Sequence, residues 1–150
     1  MLSLNLSCSD AHEPNGYTNV DIVEPADVLC DLELAWPWPD SSVDYIRAVD
    51  IFEHLCDKIH TLNEAWRVLV PGGILFMVVP TTDGRGAWQD PTHSSFWNPN
   101  SLFYLEHGNP HNTRFAKAYG MRHQFLIKSQ KHELLQDQVW KLTAILEAVK

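Results

Sequence analysis

The chain has 150 residues, of which 45% are apolar and 20% are charged, a balance typical of one folded domain with its own core. Its formal charge of −8 opposes binding to a phosphate backbone, so nucleic acid is not an expected partner. Cys8, Cys30 and Cys56 form no CxxC pair, which favours reduced thiols in a cytoplasmic protein over a disulfide framework. No apolar run approaches the ~20 residues that cross a membrane, and the N-terminus lacks the pattern of a signal peptide.

The N-terminal part of the chain predicts three short strands, over residues 2–6, 17–23 and 26–30. The connection between the first two strands is close to the shortest that can cross between parallel strands. Pro14 and Gly16 break any regular helix within this connection. We therefore expect the first crossover helix to be lost or reduced to a turn.

The middle of the chain alternates between strand and helix patterns. Residues 32–42 carry two Trp-Pro pairs and predict a loop, which a β-rich run over 43–49 follows. Apolar side chains then recur every three or four residues over 53–69, which predicts an amphipathic helix. The sequence Pro71-Gly72-Gly73 is expected to end that helix, and the unbroken apolar run 74–79 predicts a strand that is buried on both faces.

The last part of the chain predicts a long loop and a hairpin. Residues 81–114 are irregular and rich in aromatic side chains, with one turn of helix near 101–106, and are expected to form an ordered substrate or lid loop. Two segments within 122–150, the second of which alternates strictly from Trp140 to Leu146, predict an antiparallel C-terminal β-hairpin with its turn at 136–138. We therefore predict a single α/β domain over 1–150, whose mixed, mostly parallel sheet ends in this hairpin and whose helices are reduced near the N-terminus.

Several segments match, in order and spacing, the small class I S-adenosylmethionine-dependent methyltransferases, which the chain resembles over about residues 2–82. These segments are LNLSCSD, NVDI, CDLE, WPWPDSSVDYIRA, FEHL and LNEAWRVLVPGGILFMVVP. The most specific is the pattern E-x-x-R-V-L-x-P-G-G that begins at Glu64. The resemblance implies a Rossmann-like methyltransferase fold of seven strands. It also implies S-adenosylmethionine as the cofactor, bound across the carboxyl ends of the first strands where the strand order reverses.

The resemblance implies that the loop after the first strand lies under the methionine part of the cofactor. This loop consists of Ser7, Cys8, Ser9 and Asp10. Family members usually carry glycine where Ser7 and Ser9 stand, because glycine permits positive φ and a close approach of the backbone. Serine in a left-handed conformation costs about 1–3 kcal/mol, which would weaken the site without abolishing it. No neighbour in the sequence indicates a depressed pKa for Cys8, which is therefore not expected to be a nucleophile.

Three aspartates at strand ends, each with the apolar residue after it, complete the implied cofactor site: Asp21 with Ile22, Asp31 with Leu32, and Asp50 with Ile51. The first carboxylate would accept both ribose hydroxyls, since a carboxylate is an acceptor that can take two O–H donors. The second pair would meet the adenine, and the third would flank the sulfonium and the ring.

Each of these aspartates also has a simpler interpretation. Asp21 and Asp31 suit the turns that follow strands, where aspartate is common. Asp50 suits the N-cap of the next helix, with Glu53 three residues later as its partner in a capping box. The two roles of Asp50 are compatible.

Asp90 and His93 are the candidate general-base pair, because a histidine and a carboxylate lie close together in the sequence QDPTHSSF. A comparable Asp-Pro-x-His element often follows the fifth strand in similar small methyltransferases. The alternative is that Asp90 opens a turn before Pro91 and that His93 orders the loop. No metal site is predicted, since His93, His107 and His111 lack the compact spacing of ligands.

The sequence thus predicts methyl transfer from S-adenosylmethionine to a small-molecule acceptor. The alternative is a methyltransferase-like binding or structural module that has lost or weakened cofactor binding, as Ser7, Ser9 and the missing crossover helix suggest. No segment precedes the first strand to cover the site, and self-association through the exposed hairpin would complete it, so a homo-oligomer is possible. A different nucleotide is less expected, because the chain has no Walker-type lysine and no GxGxxG.

Overall fold

The computed structural model of the chain describes residues 1–7 and 16–150. In this part of the chain one sheet is formed by β1 (Ser3–Leu6), β2 (Thr18–Asp21), β3 (Val28–Leu29), β4 (Val43–Val49), β5 (Leu69–Pro80), β6 (Phe125–Leu134) and β7 (Trp140–Ala148). The strand order is β3-β2-β1-β4-β5-β7-β6. The first five strands are parallel, and β7 is antiparallel to both β5 and β6. The predicted fold class is therefore confirmed.

The helices among the described residues are short. They are α1 (Lys58–Val68), α2 (Pro99–Phe103) and α3 (Pro110–Phe115), with 3-10 turns at Phe52–His54 and Arg85–Ala87. No helix in the described ranges has both the length and the apolar character needed to cross a membrane. The predicted loss of the first crossover helix concerns residues 8–15, which lie outside the described residues.

The prediction of a helix over 53–69 is wrong about the residue at which the helix begins. Helix α1 begins at Lys58, and its N-cap is Asp57, whose side chain accepts a hydrogen bond of 2.9 Å from the backbone N–H of His60. The capping box that pairs Asp50 with Glu53 is therefore also wrong. The apolar stripe runs on into Phe52–His54, but Leu55 has an extended backbone that separates this 3-10 turn from α1.

The end of that helix also differs from the prediction. Strand β5 begins at Leu69, directly after α1, and includes Pro71-Gly72-Gly73 instead of starting after it. Gly72 has a φ of +77°, and the register between β4 and β5 shifts between Val43 and Tyr45. The Pro-Gly-Gly sequence thus forms an irregularity within a long strand, because glycine adopts positive φ without a steric penalty.

The C-terminal hairpin is confirmed. Strand β7 alternates buried and half-buried residues, as the sequence predicts, and lies between β5 and the edge strand β6. The helical turn expected near 101–106 is α2, capped by Asn98, whereas α3, which begins within the predicted loop 81–114 and ends at Phe115, was not predicted. The core contains the buried side chains of the central strands, among them Leu4, Ile46, Leu75 and Leu146.

Arg67 near the end of α1 joins this helix to the Trp-Pro loop. Its Nε and Nη2 each donate a hydrogen bond of 2.8 Å to the carboxylate of Glu64. Its Nη1 donates to the carbonyl oxygen of Trp38 at 2.9 Å and to Asp40 at 2.8 Å. Glu64 also accepts from the backbone N–H of Trp36, and the hydrogen bond from Arg67 lowers the pKa of Glu64. The E-x-x-R pattern therefore serves the fold.

Replacing Arg67 by lysine is expected to lower the free energy of unfolding by about 2 kcal/mol. A lysine ammonium cannot reproduce the planar fork, and hydrogen bonds to charged groups contribute about 1.5–3 kcal/mol each. Urea unfolding measures the effect. Arg85→Lys is the matched control, because Arg85 is exposed and donates to the carbonyl of Asp137, and its loss should cost under about 0.5 kcal/mol. Equal effects of the two substitutions would contradict the assigned role.

His123 is buried just before β6. Its backbone N–H and its Nδ1 both lie 3.0 Å from Oδ1 of Asn63, which can only accept, so Nδ1 carries the proton. Its Nε2 has no hydrogen-bond partner among the described residues. Burial lowers the pKa of His123 to about 4.

Stability is expected to fall as the pH decreases from about 6.5 to about 4, because in this range the unfolded histidine binds a proton that the folded one does not. Above this window both forms are neutral and the contribution is constant. The total loss is about 3 kcal/mol for this group. Urea unfolding at a series of pH values should show a shallower dependence for His123→Gln than for the wild type. If the free energy of unfolding depended on pH in the same way in both proteins, His123 would not be the cause of the loss of stability.

Candidate functional site

A cleft, the candidate cofactor site, lies where the strand order of the sheet reverses. Strand β1 pairs in parallel with β2 on one side and with β4 on the other, so the carboxyl ends of the three strands meet at one edge. A cavity of about 910 Å³ opens there, within the range of small-molecule sites. Its walls include the predicted cofactor residues Ser7, Asp21, Ile22, Asp31, Leu32, Asp50 and Ile51. Cys8, Ser9 and Asp10 lie outside the described residues.

Ser7 has a φ of +54°, in the left-handed region where glycine is favoured. The sequence analysis expected a strained serine here only if the backbone was left-handed, and it is. Asp50, at the end of β4, has a φ of +53°. The chain segments that follow β1 and β4, where the strand order reverses, thus each begin with a residue in a conformation of high backbone energy. Such residues concentrate at functional sites.

Asp21 and Asp31 each close a turn beside the cavity. Asp21 Oδ1 accepts from the backbone N–H groups of Ile22 at 2.7 Å and Val23 at 3.4 Å. Asp31 Oδ1 accepts from the N–H of Glu33 at 2.9 Å. The turn interpretation therefore describes their local geometry, and the same turns fix both carboxylates at the cavity wall.

An exposed apolar side chain lies beside these carboxylates. Ile22 lines the cavity and is 68% exposed, whereas Leu32 on the same wall is buried. Ile51 adds a partly buried apolar contact near the end of β4. Carboxylates next to apolar surface suit a ligand that carries hydroxyl groups and a flat ring.

Arg47 lines the same cavity and was missed by the sequence analysis. Its Nη1 donates to Oδ1 of the buried Asn5 at 2.9 Å, and Asn5 donates to Asn19 Oδ1 at 3.0 Å. Asn19 in turn donates to Asp27. This network joins β4, β1 and β2 and places a guanidinium beside the cleft. The only signal in the sequence is a charged residue within the β-rich run 43–49.

Asp50 and Glu53 form a carboxyl pair at the edge of the cleft. Asp50 makes an ion pair with Nζ of Lys141, which comes from β7. Glu53 is buried, and this burial, followed by the charge of Asp50, raises the pKa of Glu53 to about 8. Its Oε2 has no hydrogen-bond partner in the described part of the chain. The sequence analysis treated Glu53 only as a capping residue.

The candidate base His93 lies against His54, with ring centroids 4.8 Å apart. His93 Nδ1 lies 3.0 Å from the carbonyl oxygen of Ala87, and its Nε2 lies 3.9 Å from Oδ2 of Asp90. Asp90 Oδ1 accepts from the backbone and the hydroxyl of Thr92, and these bonds lower the pKa of Asp90. Asp90 thus opens a turn, as the alternative interpretation describes, and also lies near His93.

The sheet order, the antiparallel last strands and the cleft at the switch point define the Rossmann-like fold of class I methyltransferases. Residues 7–77 match the family model described as a methyltransferase domain. This match and the following relatives confirm the resemblance found in the sequence.

A probable S-adenosylmethionine-dependent methyltransferase of Mycolicibacterium smegmatis is 33% identical over 99 residues, which are 63% of this chain and 36% of the relative. The 27-O-demethylrifamycin SV methyltransferase of Amycolatopsis mediterranei is 40% identical over 55 residues, 34% of this chain and 20% of the relative. The chain therefore spans a minor part of these relatives' length.

Among solved structures, the 1,6-didemethyltoxoflavin-N1-methyltransferase of Burkholderia thailandensis, with bound 1,6-didemethyltoxoflavin and S-adenosylhomocysteine, superposes with a TM-score of 0.68. The alignment covers 99% of this chain and 71% of that chain at 13% identity. At this identity the likeness shows the fold alone.

Ser7→Gly is expected to raise the free energy of unfolding, by about 1 kcal/mol at most, because relief of the left-handed serine outweighs the added freedom of the unfolded glycine. Chemical unfolding measures the change. Ser129→Gly in the edge strand β6 is the matched control and should destabilise by about 0.5–1 kcal/mol. A loss of stability in Ser7→Gly as large as in the control would show that Ser7 is not strained.

Proposed function

We propose that this chain is a methyltransferase domain that uses S-adenosylmethionine and acts on a small-molecule acceptor. The observation that carries the proposal is the cavity at the switch point, where Asp21, Asp31 and Asp50 come together from the ends of three strands. Three thiols without a CxxC pattern favour a cytoplasmic location.

The residues at the cleft suit each part of the cofactor. S-Adenosylmethionine supplies a methyl group on a positively charged sulfur. In the proposed complex Asp21 accepts hydrogen bonds from the ribose, and Asp31 with Leu32 meets the adenine. The loop that begins at Ser7 holds the amino-acid part. Arg47 adds a positive charge that suits a carboxylate.

The chain's own contribution to methyl transfer is alignment and exclusion of water. If the acceptor arrives protonated, His93 is the candidate base, since the bond from Nδ1 to Ala87 leaves the Nε2 lone pair for the proton. Asp90 would then stabilise the imidazolium from 3.9 Å. The segment 81–114 would cover the acceptor.

The choice of a small molecule as the methyl acceptor has its own support. The names of the two relatives from Amycolatopsis mediterranei and Burkholderia thailandensis describe enzymes that act on small molecules. The charge of −8 disfavours a nucleic acid acceptor. The edge strand β6 exposes Leu126 and Leu134, so self-association through the hairpin is part of the proposal.

Calorimetric titration with S-adenosylhomocysteine tests the cofactor site. We expect binding by the wild type and at least about tenfold weaker binding by Asp21→Asn, because an amide offers one acceptor atom and no charge. Asp83→Asn is the matched control, since Asp83 pairs with His132 and does not line the cleft. No binding at about 1 mM ligand would overturn the proposal and favour the non-catalytic module.

A further inference from the structure

Glu53, His54 and His93 form a compact group of potential metal ligands at the edge of the cleft. One ligand atom from each lies within 4.8 Å of the others. We propose that these three residues bind a divalent cation of the first transition series. Neighbouring ligand atoms at 2.0–2.2 Å from one ion lie about 3–3.6 Å apart, so side-chain rotations that move these atoms by about 1 Å would close the site.

The hydrogen bonds of both histidines determine which ring nitrogen has the free lone pair. The hydroxyl of Thr92 donates to Asp90 at 2.7 Å, so it must accept the bond of 3.0 Å from Nδ1 of His54. His93 Nδ1 faces the carbonyl oxygen of Ala87, which also can only accept. Both neutral rings therefore carry their lone pair on Nε2. Ligating histidines are typically held in this way, through a hydrogen bond from the other ring nitrogen.

The burial of Glu53 is the observation that favours a metal site over a simple contact between His54 and His93. The residue is only 2% exposed, and its Oε2 has no hydrogen-bond partner among the residues that the structure describes. A buried carboxylate oxygen without a partner is costly unless it coordinates a metal or pairs with a charge. The Glu53 side chain also hydrogen-bonds Asp50, and a cation would supply the partner that Oε2 lacks.

Backbone hydrogen bonds hold the two halves of the site together. The N–H groups of Ser94 and Ser95 donate to the carbonyl oxygen of Glu53 at 2.8 and 3.0 Å. The hydroxyl of Ser94 donates to the carbonyl oxygen of His54 at 2.9 Å. His93 is thus fixed beside the 3-10 turn although it is far from it in the sequence. Such support makes a site preorganised for its ligand.

The surroundings and the donor set indicate the kind of cation. Asp50 and Asp90 add negative charge on either side, which Lys141 offsets at Asp50. Two imidazole nitrogens with one carboxylate suit Zn²⁺, Fe²⁺, Co²⁺ or Mn²⁺ better than Mg²⁺, which prefers oxygen ligands. Three protein ligands leave coordination positions open, as in catalytic sites.

The position of the site suggests a role, which rests on the proposed function. His54 also lines the cofactor cleft, so a cation held by this residue would lie next to the proposed cofactor site. It would favour an acceptor with an oxygen donor, such as a hydroxyl, because a bound cation lowers the pKa of a hydroxyl group. His93 would then act as a ligand instead of a base.

Titration of the metal-free chain with Co²⁺, followed by visible absorption, tests the site. We expect one Co²⁺ per chain, displaced by Zn²⁺, and at least about tenfold weaker binding in Glu53→Gln, His54→Gln and His93→Gln. His107→Gln is the matched control, because His107 contacts Gln124 outside this group and its loss should leave the affinity unchanged. Circular dichroism shows whether each variant is folded.

Thr92 provides a second, independent variant, as a positioning residue that acts through His54. Thr92→Val should weaken Co²⁺ binding about tenfold, and Thr92→Ser should restore it. X-ray absorption of the wild-type Co²⁺ complex should show two imidazole ligands, a readout that does not depend on the folding of any variant.

The proposal is overturned if the wild type binds no Co²⁺, if the ligand variants bind as the control does, or if the spectrum lacks imidazole ligands. Titration of the same metal-free wild type with S-adenosylhomocysteine tests the proposed function separately. Binding of S-adenosylhomocysteine without Co²⁺ would overturn the metal site alone. Binding of Co²⁺ without S-adenosylhomocysteine would overturn the proposed function and leave the metal site.

Discussion

The parallel pairing of β1 with both β2 and β4 is the constraint on which the cleft depends. Leu6 of β1 is in register with Val20 on one side and with Ala48 on the other, so the three strands end at the same level of the sheet. A slip of one residue would turn the side chains at one of these ends to the opposite face. The buried Asn5 opposes such a slip, because its amide group bonds to both neighbouring strands. This polar network therefore also sets the geometry of the cleft.

Local patterns in the sequence predict the strands well and the connections poorly. Strand β4 has the bounds that its β-rich run predicts, and β7 follows the alternating pattern of its sequence. The start of α1 was wrong because apolar spacing continues through the 3-10 turn at Phe52–His54 into the helix, so periodicity alone does not show the break. The break depends on the extended backbone of Leu55, whose side chain is buried in the core.

The candidate site also has one part that the sequence predicts and another that it does not. The aspartates at strand ends could be predicted because a strand fixes where its end lies, and parallel strands share one edge. The contact between His54 and His93 could not be predicted, since it depends on backbone bonds from Ser94 and Ser95 to a turn about 40 residues earlier. The sequence analysis assigned Glu53 to a helix cap because glutamate serves both in capping boxes and as a metal ligand. Only the burial of its side chain, which the sequence does not show, separates the two roles.

The charges at this edge of the sheet bear on both proposed cationic ligands, the sulfonium and the divalent cation. Asp21, Asp31 and Asp50 line the cavity and Glu53 lies behind them, with Arg47 and Lys141 as nearby positive charges. Burial is the main cause that raises the pKa of Glu53 to about 8, and repulsion from the charge of Asp50 adds to it. A sulfonium in the cleft and a divalent cation at Glu53 would each relieve this repulsion. The carboxylates that line the cleft would therefore favour positively charged ligands.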